Sequence, residues 1–140
     1  MPLRGRELTI EESLALCRSV GFTHERLITA VALMQPESGR RVEAYNINVK
    51  VAEDGTITKS IDRGLFQINS QHDKVIHPHD CYHATANARF AYLLSARGSD
   101  FTPWFAFKNG KHLPYMDEVR AVFEADEWRA LVPTIQAELG

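Results

Sequence analysis

The chain has 140 residues, 44% of them hydrophobic and 24% charged, with a formal net charge of -2. This is enough apolar material for one ordinary globular domain with a buried core, and too balanced for a disordered chain. With no basic cluster a nucleic-acid partner is not expected, and the longest apolar runs, such as residues 30–34, are far too short to cross a bilayer.

In chain order, residues 1–7 carry positive charge without an apolar stretch behind it, so no secretory signal is expected. Thr9 and Glu12 fit a capping box, and Ile10, Ser13, Leu14, Cys17 and Val20 follow at helical spacing until Gly21 supplies a stop. Thr23 is placed to cap a second helix through Leu27, Ile28, Val31, Ala32 and Met34, nearly apolar in its second half and therefore central to the core. Pro36 is expected to disturb or end it, leaving Glu37 at or just past the end of a buried helix. Residues 42–61 change pattern: Val49, Val51 and Ile57 flank Asp54-Gly55 as a short β-hairpin, after which Asp62-Arg63-Gly64 turns into the apolar stretch Leu65-Phe66-Gln67-Ile68.

Residues 71–83 read as a polar, His-rich loop, with Asp80 capping a helix whose small residues Ala84, Ala88, Ala91 and Ser95 suit close packing on the helix that ends near Glu37. Gly98 stops that helix. Asp100 to Trp104 predicts a capped short helix with Pro103 near its start, and Asn109-Gly110 a turn. Two further helices are expected over 115–125 and 127–139, the second with Trp128, Leu131, Val132, Ile135 and Leu139 as an apolar face capping the core. The fold class is therefore α+β and mainly α, as one domain over 1–140. Cys17 and Cys81 are too few for a disulfide framework; they could pair with each other, but free thiols are the expectation because a chain this long does not require a bridge.

Two carboxylates stand out. Glu37 follows an apolar run, where desolvation raises a carboxyl pKa, whereas Asp62 lies beside Arg63 and a Gly turn in a polar setting. Glycosidic cleavage uses such a pair: an acid that protonates the leaving oxygen and a second carboxylate that stabilises the oxocarbenium-like centre. Either residue alone would more simply be a helix-terminal or turn residue. Their order and surroundings make the stronger case. Glu37-Ser38-Gly39, then Ala44 and Asn46, then residues 62–70 (Asp-Arg-Gly-Leu-Phe-Gln-Ile-Asn-Ser) resemble the lysozyme-like, transglycosylase SLT superfamily, with Glu and Asp motifs similar to those of c-type lysozymes. Downstream, Asn87-Ala88, Ala91-Tyr92, Gly98-x-Asp100-Phe101-x-Pro103-Trp104 and Asn109-Gly110 look like the lysozyme-like domains of actinobacteria and their phages; the resemblance covers residues 25–116.

That resemblance implies a lysozyme-like fold and a peptidoglycan glycan strand as substrate, cut between N-acetylmuramic acid and N-acetylglucosamine. It makes Glu37 the general acid and later the base, and Asp62 the nucleophile or electrostatic stabiliser. Asn46, Gln67 and Asn69 match positions lining the sugar cleft, and Ser38 one beside the acid. Trp104 and Tyr115 are candidates for sugar stacking, Trp104 equally a core residue. The acid here follows Gln35-Pro36 rather than small residues, and the segment from Glu37 to Asp62 is longer than in c-type enzymes. Hydrolysis with retention uses carboxyls about 5 Å apart, whereas transglycosylases manage with one; both acceptors, water and the muramic 6-hydroxyl, stay open.

Two rivals compete. His72, His77, His79 and His83 cluster around Asp80 and Cys81, but at no recurring zinc spacing, so neither metal nor cofactor is expected. A non-catalytic sugar-binding or structural virion module on the same fold would have no need for a desolvated acid. The expected setting is a phage lysin or a lytic part of a larger phage or cell-wall protein, acting on the wall.

Overall fold

The structure, a computed structural model, describes residues 5–139, so the first four residues of the charged N-terminal stretch lie outside the described residues. Helix α1 (Ile10–Val20) starts with the predicted box: Thr9 accepts from the Glu12 amide at 3.0 Å while the Glu12 carboxylate accepts from the Thr9 amide at 3.0 Å. It ends at Gly21, whose φ of 125° only glycine adopts freely. Helix α2 (His24–Ser38) is the core helix, with Leu27, Ile28, Ala30, Val31, Ala32, Leu33 and Met34 all buried. Thr23 is its N-cap residue, but its hydroxyl accepts no capping hydrogen bond.

Pro36 lies inside α2 and does not end it. A proline forfeits one backbone donor and crowds the carbonyl four residues back. Here only Glu37 and Ser38 follow it before Gly39, in the left-handed conformation at φ 62°, closes the helix with its N–H on the Gln35 carbonyl. Glu37 is thus inside the last turn.

Strands β1 (Tyr45–Val51) and β2 (Ile57–Arg63) form the predicted hairpin, and β3 (Ile68–Asn69), which the sequence reading lacked, adds a third antiparallel strand beside β2. Asp62 therefore lies within a central strand, ahead of the Gly turn. Leu65, Phe66 and Ile68 are buried in the main core as expected. The polar stretch 71–83 is more ordered than a loop, being built on two 3-10 turns, Ser70–His72 and Pro78–Tyr82. Asp80 sits inside the second of these and caps nothing; the residue preceding α3 (Ala84–Leu94) is His83. The small-residue face of α3 packs on α1 and the 3-10 turn before it, rather than chiefly on α2. Asp100 makes a local turn, accepting from the Thr102 amide and hydroxyl, and the short helix α4 (Phe105–Lys108) begins only after Trp104. Cys17 and Cys81 are both buried and form no disulfide.

The C-terminal region is a single helix, α5 (Met116–Leu139), running through Pro133. Its first half faces the body, with Val119 buried and Met116, Val122 and Phe123 packed against the core. At about 100° per residue, Trp128, Val132, Ile135 and Leu139 fall half a turn round from Val119. Their stripe consequently points away from the core it was expected to cap, and Trp128 is 61% exposed. The two tryptophans should therefore differ sharply. Trp104→Ala removes a buried indole and is expected to cost about 3–5 kcal/mol, whereas Trp128→Ala should stay within about 0.5 kcal/mol. Guanidinium unfolding of both variants checks this, and a comparable loss from each would refute the outward-facing stripe.

Among the described residues no helix is long and apolar enough to cross a membrane.

Candidate active site

Strand pairing builds one half of the site. The register sets Asp62 opposite Asn46 on β1 and opposite Asn69 on β3, with Asn48 opposite Ser60 one step along. Because successive side chains alternate between faces, Asn46, Asn48, Ser60, Asp62 and Asn69 share one face. Ile47, Val49 and Ile57 lie on the other, largely exposed. On the polar face Asn69 Nδ2 donates to Asp62 Oδ1 at 2.8 Å and Asn48 Nδ2 to Asp62 Oδ2 at 2.9 Å. Both amides also reach Ser60 Oγ, and Asn46 Nδ2 donates to Asn48 Oδ1 at 3.1 Å. Each oxygen of Asp62 is thus met by an amide donor, which fixes the carboxyl plane.

The end of α2 builds the other half. Arg40 pins this terminus, its Nε donating to the Leu8 carbonyl at 2.9 Å and its Nη1 to Gln35 Oε1 at 2.5 Å. Glu37 projects from this last turn into the cleft, and among the described residues no hydrogen bond reaches its carboxyl. Burial pushes its pKa from 4.5 up to about 7; the negative charge of Asp62 adds to the shift and the positive charge of Lys111 opposes it. The two carboxyls therefore sit in contrasting surroundings, one partly desolvated and unclasped, the other held by amides.

Both line two adjoining cavities, of about 480 Å³ and about 340 Å³, together with Gln67 and Phe105. The larger runs on past Asn69, Gln71, His72, Pro103 and Trp104; the smaller adds Asn46, Pro36 and Lys111. The result is an open groove with the carboxylates where its two arms meet, a shape that suits a polymer entering and leaving on either side.

The remaining sequence candidates divide. Asn46 and Asn69 line the groove, Asn69 chiefly as a clasp on Asp62. Gln67 also lines it, but its amide donates inward to the Ala44 and Gly64 carbonyls, at 3.1 and 2.9 Å, and its backbone sits at φ 51°. It braces the turn rather than offering its N–H groups to a sugar. Ser38 is fully buried with Oγ on the Met34 carbonyl, turned away from the groove. Trp104 is 5% exposed, and its Nε1 donates to the Phe66 carbonyl at 2.7 Å, so it forms the floor as a core residue with no open ring face. Tyr115 packs half-buried against the core edge in the 3-10 turn Leu113–Tyr115 and lines neither cavity.

Three further residues, two in the groove and one clasping Asp62, were not singled out for the site by sequence. Phe105, next to Trp104, is 72% exposed and lines both cavities, which makes it the aromatic surface available for stacking. Asn48 carries half the clasp on Asp62. Lys111 is the third. Around the histidines, His77 Nδ1 accepts from the His79 amide, and among the described residues no group of three His, Cys, Asp or Glu side chains is arranged to hold a metal ion.

A family model described as a lysozyme-like domain matches residues 14–106, from within α1 to within α4 and across both carboxylates. No curated protein matches the sequence significantly. The match spans more than half of the 140 residues and agrees with a helical core bearing a small three-stranded sheet, so the chain belongs to the lysozyme-like domain family.

Proposed function

We propose that this domain hydrolyses the β-1,4 bond between N-acetylmuramic acid and N-acetylglucosamine in peptidoglycan strands. One observation carries the reading: two carboxyls line the same groove, Glu37 raised to about 7 by burial and Asp62 clasped at both oxygens by Asn48 and Asn69. The strand lies along the groove with its scissile bond between them. Glu37 gives its proton to the glycosidic oxygen as the C1–O bond breaks, and the leaving sugar departs with that proton. Positive charge gathering at C1 is met by the Asp62 carboxylate, preorganised by its two amides and needing no reorganisation at the moment of reaction. Glu37, now ionised, takes a proton from water as the water adds to C1 and restores the starting state.

Family membership supports the peptidoglycan substrate, and the amide clasp favours hydrolysis over transglycosylation, because a reaction using Glu37 alone has no need of a fixed second carboxylate. Mass spectrometry of fragments released from purified walls is the test. Wild type should leave reducing muramic acid ends, and Asp62→Asn should lose about 100-fold or more in rate. Ends lighter by one water, with little effect of Asp62→Asn, would mean lytic transglycosylation. No Glu37-dependent release from several wall types would leave a sugar-binding module.

A further inference from the structure

The two arms of the groove are not electrically alike. Among the described residues no lysine or arginine lines the larger cavity, while Lys111 lines the smaller one beside Glu37, Asp62 and Asn46. Its backbone is held by the end of α4, where Gly110 at φ 70° donates to the Phe107 carbonyl and Lys111 to the Ala106 carbonyl at 2.9 Å, the paired bonds of a Schellman stop. The ammonium itself is exposed, and among the described residues it makes no direct hydrogen bond or ion pair. A cation fixed at its root and unpaired at its tip therefore stands over an arm of the groove whose other charged wall groups are carboxyls.

We propose that Lys111 receives a carboxylate carried by the bound glycan strand, so that this arm selects strands with acidic substituents over uncharged N-acetylglucosamine polymers. This rests on reading the groove as a glycan-strand site. The physical need is direct. An acidic substituent entering beside Asp62 meets like charge, which in a partly desolvated groove is worth several-fold in affinity. Lys111 offsets that repulsion on one arm, and an uncharged polymer has nothing to gain from it. Two sources present the same chemistry: the free lactyl carboxylate of a muramic acid that has lost its peptide, and a carboxylate of the stem peptide.

Binding separates these without turnover. Calorimetry would titrate Glu37→Gln, and the same protein with Lys111→Gln added, with chitotetraose, with a peptide-free muramyl tetrasaccharide, and with the peptide-bearing tetrasaccharide. Removing Lys111 should weaken one or both carboxylate-bearing ligands about tenfold at low salt and leave chitotetraose unchanged. The difference should shrink at high salt, and Lys111→Arg should restore it. Loss for the peptide-free ligand assigns the lactyl group; loss only for the peptide-bearing one assigns the peptide. Equal loss for all three ligands, or none for any, would overturn the proposal. Failure of wild type to cleave walls would instead sink the enzymatic reading, leaving this binding result to stand or fall by itself.

Discussion

Glu37→Gln is expected to cut glycan release by about 1,000-fold or more while raising the melting temperature at pH 8. The first effect follows from the proposed acid role, because an amide cannot supply the proton and general acid–base catalysis commonly contributes up to about 10,000-fold. The second follows from the environment. A carboxyl whose pKa is 4.5 when exposed and about 7 in the fold is protonated more in the folded than in the unfolded chain between those values. Stability then falls as pH rises through that window, and above it the buried charge costs about 3 kcal/mol at most. Below pH 4.5 both states are protonated and the cost vanishes.

The variant lacks this titration, so its gain in melting temperature should be several degrees at pH 8 and near zero at pH 4. Wild-type activity should fall as pH rises through about 7, where the acid loses its proton. Thermal scans of both proteins across pH test the environment without any substrate. A flat difference between pH 4 and pH 8 would show that Glu37 titrates as an ordinary surface glutamate, and would remove the physical basis for its role.

How far the sequence revealed this site depended on how local the determinants were. The capping box of α1 needs four residues and was legible in full. Glu37 and Asp62 were legible as a pair because the motifs around them resemble those of the lysozyme-like superfamily, the apolar run and the polar turn adding contrasting environments. Asn48 was not, since its place beside Asp62 exists only once the hairpin register sets Asn48 against Ser60 and Asn46 against Asp62. The alternation of Asn46 and Asn48 on one strand with Ser60 and Asp62 on the other was the available signal. Pro36 misled because a proline rule written for helix interiors overstates the cost in the last turn, where few bonds remain to lose. In α5, two apolar sets half a turn apart read as two helices, because spacing within each set is visible and the angle between them must be worked out. Ser38 matched a position beside the acid by motif and Trp104 was open between stacking and core; their hydrogen bonds to Met34 and Phe66 make both packing residues.

The turn between β2 and β3 shows how tightly the Asp62 half of the site is tied to the core, and Gly64→Ala should be the most damaging single methyl in the groove. Gly64 adopts φ 77°, and a Cβ there would fall on the Cys81 carbonyl and on the Asn87 side-chain amide. Neither can yield cheaply. Asn87 is fully buried and saturated, donating to the Arg63 and Cys81 carbonyls at 3.0 and 2.8 Å while accepting from the Phe66 amide at 2.9 Å. Moving it breaks a set of bonds that staples α3 to the turn and leaves buried polar groups unpaired. Strain, crowding and broken bonds together predict a loss of about 3–5 kcal/mol in guanidinium unfolding. Shifting the turn also shifts Asn69 against Asp62, so molecules that remain folded at low temperature should retain about 1% of wild-type glycan release. A loss under about 1 kcal/mol, with activity intact, would mean that the turn yields to a side chain and that the position of Asp62 is set by the hairpin alone.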